Sequence, residues 1–285
     1  MTIRSLTPVV AGVSGSPASA RAIEAAAREA DLYGLPLRLV HSFGHRPDRP
    51  EARDLLRQAS ATVDRVTPGL TVTAELIEGQ PLAGLLRLSR QAALTVVGDG
   101  DLGERVCLPA DATAVQLAAR ASGNVMVTRA APAPYGPVLV GVNGPGTSEA
   151  ALDLAFDEAA RRRSGLVIVH VGKAPARVHE IEEAIAVRAG RQDVDTQLCV
   201  LSGDPTAVLR RESRQASLIV VGARGEQPYH GMLGSVAQTL LHHGRGPIIV
   251  VHGAGRLVAR TGDAPVVTGS GKYSGTLRPD PMVDR

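Results

Sequence analysis

The chain has 285 residues, 44% of them hydrophobic and 21% charged, with 31 basic against 28 acidic side chains and a formal charge of +3. At about 100–200 residues per domain, this is globular composition sized for two compact domains. The small basic surplus is no electrostatic footprint for nucleic acid, 4 Tyr and 2 Phe without Trp form no base-stacking platform, and 2 Cys make neither a zinc ribbon nor a disulfide framework.

In chain order, the apolar run Val9–Val13 reads as a first strand. Ser19–Tyr33 then sets Ala22, Ile23, Ala26, Ala27 and Ala30 at helical spacing. Ser16 or Ser19 is placed to cap that helix, and Gly34 followed by Pro36 ends it. Four more β-branched runs follow, Leu37–His41, Thr71–Ile77, Leu94–Gly98 and Val125–Thr128, with further helices over Pro81–Gln91 and Thr113–Ala121. The runs are apolar almost throughout instead of alternating, as parallel strands buried on both faces require. No run approaches the ~18–20 apolar residues of a membrane span, and Met1–Pro8 lacks the apolar core of a secretory leader. A cytoplasmic location with no membrane contact is therefore expected.

The pattern then recurs. Residues 8–17 (PVVAGVSGSP) return as 137–146 (PVLVGVNGPG), and Leu37–His41 returns as Leu166–His170, both at an offset of 129. Glu78-Gly79-Gln80-Pro81 matches Ser202-Gly203-Asp204-Pro205, and Leu94–Gly98 matches Leu218–Gly222 at an offset reduced to 124. The expected fold is α/β: two tandem Rossmann-like domains, each a five-stranded parallel sheet with helices on both faces. Their expected bounds are 1–130 and 137–252, with a Pro-Ala linker at 131–136 and a Gly- and Pro-rich disordered tail at 253–285. Ala264–Thr268 is the one candidate strand in that tail.

The most informative motif follows the fourth strand of the second copy: Gly222-Ala223-Arg224-Gly225, then Gly234-Ser235-Val236 at the head of a helix over Val236–His243. Glycines let backbone approach a phosphate, and a helix N-terminus favours an anion. Ser235 can cap that helix or donate to a phosphate oxygen. The same glycines also serve a plain tight turn, so spacing alone leaves both readings open.

The tandem copies, the glycine loop and the closing PIIVV run resemble the universal stress protein family over nearly all of residues 8–252. Here the loop from Gly225 to Gly234 is one residue shorter than the family spacing. The resemblance implies ATP, with or without magnesium, as ligand, with phosphates on the loop and adenine near the ends of the first two strands. It also implies pairing of the two domains along their last strands, with a further homodimer left open. The implied contacts are Asn143, Val171, Gly222, Arg224, Gly225, Gly234, Ser235 and Val236. Asn143 stands where the family commonly carries an acid, and Val171 serves equally as ordinary core.

In the first copy, Gly98-Asp99-Gly100-Asp101 and Asp111-Ala112 replace the later glycines and the serine. Three carboxylates at that loop would repel a polyphosphate, and Asp111 could cap the next helix itself; a cation held by these acids is the alternative. This half is expected not to bind ATP. His41 and His170 at matching strand ends, His242 and His243 at a helix end, and Arg161–Arg163 at another all read as structural or solvated. No nucleophile–base arrangement can be assembled. The chain therefore reads as an adenine-nucleotide-binding stress protein that senses its ligand, at most a slow ATPase; the alternative is a nucleotide-free interaction scaffold.

Overall fold

The computed structural model describes residues 7–44, 49–100, 108–129, 135–144, 146, 148–224 and 232–253. Most of the linker, Gly225, Asp101, Cys107 and all of the tail beyond Gly253, with its candidate strand, lie outside the described residues.

The first half runs β1 (Val9–Gly12), α1 (Pro17–Tyr33), β2 (Leu37–Phe43), α2 (Arg49–Val66), β3 (Val72–Glu78), α3 (Pro81–Ser89), β4 (Leu94–Gly98), α4 (Thr113–Arg120) and β5 (Val125–Thr128). The second repeats the alternation as β6 (Val138–Val142), α5 (Glu149–Arg162), β7 (Leu166–Val171), α6 (Pro175–Ala189), β8 (Thr196–Leu201), α7 (Pro205–Glu212), β9 (Leu218–Gly222), α8 (Ser235–His243) and β10 (Ile248–Val251). Helix boundaries follow local chemistry. The Ser16 hydroxyl at the cap of α1 accepts the Ser19 N–H at 3.2 Å, and Gly34 ends the helix at φ 63°, a left-handed conformation that costs glycine little.

The strands form one ten-stranded sheet in the order β3-β2-β1-β4-β5-β10-β9-β6-β7-β8. Every pairing is parallel except the central one, where β10 meets β5 antiparallel with Ile248 opposite Val127 and Val250 opposite Val125. The halves are thus related by an approximate twofold, and their last strands, which would otherwise be open edges, cover each other. The expectation of two five-stranded parallel sheets holds within each half; only their junction runs antiparallel.

Alternate strand residues feed two cores. Val9, Ala11, Leu37 and Leu39 pack under α1, α2, α5 and α6, while Val10, Val40, Val97 and Val169 pack under α3, α4, α7 and α8. The outer strands β3 and β8 are only half covered, while β4, β5, β9 and β10 are buried almost throughout. Loops at the carboxyl ends of the inner strands therefore leave from the most deeply buried strands of the sheet.

On the α1–α5 face, matched residues cross between halves. Tyr33 donates its hydroxyl to Glu158, while Arg162 reaches both Glu158 and Glu29. Glu29 and Glu158 are repeat partners at an offset of 129, as are Tyr33 and Arg162. Arg161 lies 4.9 Å over the Tyr33 ring. The expectation that Arg161–Arg163 is simply a solvated helix end is corrected here. Two of its three side chains are bound into the seam between halves, and Arg163 forms the left-handed cap at φ 51°.

A candidate anion-binding cleft in the second half

At the tip of β6, a Cβ on Gly141 would lie 2.9 Å from the Leu209 side chain, so glycine here lets α7 close on the strand. Asn143 follows, exposed, with its N–H donated to the Ser148 hydroxyl at 3.0 Å. The first copy repeats this turn, Ser14 N–H donating to Ser19 at 2.7 Å. His170 Nδ1 donates to the Val142 carbonyl at 3.1 Å, and His41 Nδ1 to the Val13 carbonyl at 2.8 Å. A carbonyl only accepts, so both rings carry their proton on Nδ1 and tie β7 to β6 and β2 to β1. Their role is structural, as expected.

Beyond β9 the chain is pinned twice. Ala223 N–H donates to Val251 O at 2.9 Å, and Gly234 N–H returns to Ala223 O at 2.9 Å. Gly234, at φ −63° and ψ 155°, is the residue preceding α8, and Ser235 is its first helical residue. The idea that Ser235 caps the helix is thereby corrected. The cap residue is glycine, so it puts no side-chain acceptor at the helix N-terminus, and Ser235 is exposed.

These elements enclose an open cleft of about 530 Å³, well within the size of small-molecule sites. Asn143, Val171, Gly222, Arg224, Gly234, Ser235 and Val236 all line it, and Gly225 lies outside the described residues. Ser148, Asp204, Thr206 and Leu209 line it too. Sequence reasoning singles out none of these four, although Asp204-Pro205-Thr206 carries the signature of a helix start and Ser148 repeats Ser19. Val171 is half-buried, packing against the core and lining the cleft.

The Arg224 guanidinium supplies positive charge, and its Nε is buried without a hydrogen-bond partner among the described residues. Behind it stands His252, 7% exposed, with Nε2 donating to the Ala118 carbonyl at 2.9 Å and its backbone N–H to Asn124 Oδ1 at 3.2 Å. Burial pushes the His252 pKa down, and the Arg224 charge pushes it further. His242, expected to gain from the helix dipole, is also pushed down, first by burial and then by His243 and Arg129.

The matching region of the first half is built differently. Asp99 is buried at 4% exposure and pairs with Arg21 at 3.4 Å. Asp111 is exposed, and Ala112 stands at the cap of α4 with no side-chain bond. Asp99 thus lies inside the fold instead of standing free at the loop, and the reading of Asp111 as a helix cap is corrected. A Cβ on Gly98 would lie 2.6 Å from the Ala18 carbonyl oxygen, so the glycine closing β4 is required by the approach of α1. A glycine at this point of the fold is therefore no signature of phosphate by itself. Among the described residues, no group of three or more His, Cys, Asp or Glu could hold a metal ion, and no helix is long and apolar enough to cross a membrane.

Comparison with known proteins agrees with this architecture. Residues 172–252 match the model of the universal stress protein family. The chain is 31% identical over 282 residues to universal stress protein Rv2623 of Mycobacterium tuberculosis, covering 85% of this chain and 95% of that one. It is 33% identical to a universal stress protein of Mycolicibacterium smegmatis, covering 85% and 96%. Its fold is similar to the crystal structure of a universal stress protein from Archaeoglobus fulgidus, with a TM-score of 0.72 at 16% identity over 88% of this chain and all of that one. With relatives of this identity matched over nearly their whole length, the chain belongs to the universal stress protein family.

Proposed function

We propose that the cleft of the second half binds an adenine nucleotide, ATP, and that the chain uses it as a signal instead of turning it over. The observation that carries this reading is a helix N-terminus with glycine as its cap residue beside a cation: Gly234 and Ser235 at the head of α8 line the same cleft as Arg224. The phosphates would lie there, with Ser235 as hydroxyl donor, and the nucleoside against Asn143 and Val171. Asn143 offers hydrogen bonds without charge, so any magnesium would be held mainly by the phosphates themselves.

The sensing role rests on the absence of a suitable base among the described lining residues. Asp204 is the only carboxylate there, and the Thr206 hydroxyl and the Ala207 N–H hold its carboxyl below the usual range. Such a group is a poor proton acceptor near neutral pH.

The test is calorimetric titration of ATP into the parent and into Gly234→Asp. Gly234 has ordinary extended backbone that an aspartate adopts without strain, and aspartate is a good helix cap, so the variant should fold. Its carboxylate would occupy the anion position, as a side chain of the chain's own. Binding by the parent and at least about tenfold weaker binding by the variant are expected. Equal affinities, or none in the parent, would defeat the assignment.

A further inference from the structure

The cleft has two helix N-termini, and they are not equivalent. At α8 no side chain takes the cap position. At α7 the cap is Asp204, whose Oδ1 accepts the Ala207 N–H at 2.9 Å and the Thr206 hydroxyl as well. A second anion at α7 would meet a carboxylate already in place, so phosphates are directed to α8. Arg224 leaves β9 and Asp204 leaves β8, three strands apart in the sheet, or about 14 Å at ordinary strand spacing. The end of the cleft near Asp204 is lined by Pro205, Val169, Val171 and Leu209, apolar surface suited to a flat ring.

The bonds from the Thr206 hydroxyl and the Ala207 N–H both fall on Oδ1, and Asp204 is exposed where it lines the cleft. An ionised carboxylate only accepts, so an oxygen at the base end of the cleft favours a ring that presents a donor and disfavours one that presents a carbonyl. Resting on the nucleotide reading above, we propose that Asp204 is a specificity-determining residue: its Oδ2 accepts a hydrogen bond from the exocyclic amino group of the base. The cleft then favours 6-amino purine nucleotides over 6-oxo ones, whose donor on that edge, N1–H, lies one ring position away from the 6-substituent. The first copy has Gln80 here, which makes no cap bond and can both donate and accept, so it carries no such selection.

The experiment is titration of ATP and ITP, which differ at the 6-position, into the full chain and into Asp204→Asn and Asp204→Ser. Both replacements keep an oxygen for the Ala207 N–H and so keep the helix cap. In Asp204→Asn that N–H holds the amide oxygen, leaving an amino group where Oδ2 was. The parent is expected to prefer ATP by about tenfold or more, Asp204→Ser to lose most of that preference, and Asp204→Asn to shift it towards ITP. The proposal is overturned if the parent binds both equally or if the variants keep the parent's ratio. It is also overturned if the effect vanishes without magnesium, which would make Asp204 a cation ligand, or follows 2′-deoxy-ATP instead of ITP, which would place the carboxylate on the ribose. Should neither nucleotide bind the parent, the nucleotide reading falls with it.

Discussion

In the first half, the residue after the glycine that closes β4 is Asp99, which faces Arg21 from α1 and the charge of Arg129 just beyond β5. In the second half the matching positions are Ala223, Ala150 and His252, and Arg224 follows with its Nε unsatisfied among the described residues. One half thus carries an acid beside its cations, although Arg129 too keeps guanidinium nitrogens without partners among the described residues; the other carries a cation and no acid at that turn. Repetition preserved the glycine-closed strand and the helix that follows it in both halves. A few side chains make the two turns electrostatically different, because a buried acid such as Asp99 is balanced from within the fold.

The seam between halves gives the largest test of this difference. Glu158 is fully buried and accepts from both Tyr33 and Arg162, whereas among the described residues its repeat partner Glu29 accepts from Arg162 alone. Burial pushes the Tyr33 pKa up, so its hydroxyl remains a donor. Glu158→Ala should cost about 3–5 kcal/mol in denaturant unfolding, and Glu29→Ala clearly less. Equal losses would mean that the crossed contacts share the load evenly and that the seam is as symmetric as the repeat.

A smaller effect separates Arg129 from His252, which hold matching positions after β5 and β10. Arg129 keeps its charge throughout the ordinary pH range, whereas His252 titrates. Because the folded His252 pKa lies below its ordinary value of 6.5, the unfolded chain binds more protons there as pH falls. Its contribution is therefore complete above about pH 6.5 and is lost as pH drops towards the folded pKa, at no more than about 1.4 kcal/mol per pH unit. His242 is shifted in the same direction and adds to the slope. His252→Gln, which keeps a donor for the Ala118 carbonyl, should flatten the profile of unfolding midpoint against pH between about 5 and 7; an unchanged slope would remove His252 from the account.

The least effect is expected at the helix starts. Ser16 caps α1 through its side chain, while Ser148 at the start of α5 makes no such cap and instead receives the Asn143 N–H. Ser16→Ala should lower stability by about 1 kcal/mol in the same unfolding assay. A change within error would show that the Ser16 bond adds nothing to the turn already fixed by Ser19.

Much of the architecture is legible in the amino-acid order alone. Uninterrupted apolar runs such as Val9–Val13 and Leu94–Gly98 announce buried parallel strands, Gly34 with Pro36 announces a helix end, and the returning PVVAGV and PVLVGV segments announce the repeat. The residues around Gly234 are legible for the same reason, since glycine beside serine at the head of an apolar helix is a local pattern. Asp204 and Ser148 escape notice as site residues because their local signature is only that of a helix start. Their importance comes from sharing one cleft with residues dozens of positions away.

By itself the sequence determined the α/β alternation, the duplication and the difference between the two glycine-bearing loops, since periodicity, turn chemistry and side-chain charge are local properties. Only the tertiary structure decided that Asp99 is buried against Arg21, that Arg162 bridges Glu29 and Glu158, and that Arg224 lines the cleft. A charge written in sequence has no sign of consequence until folding sets its partners and its distance from water, and that setting depends on contacts across more than a hundred residues of chain.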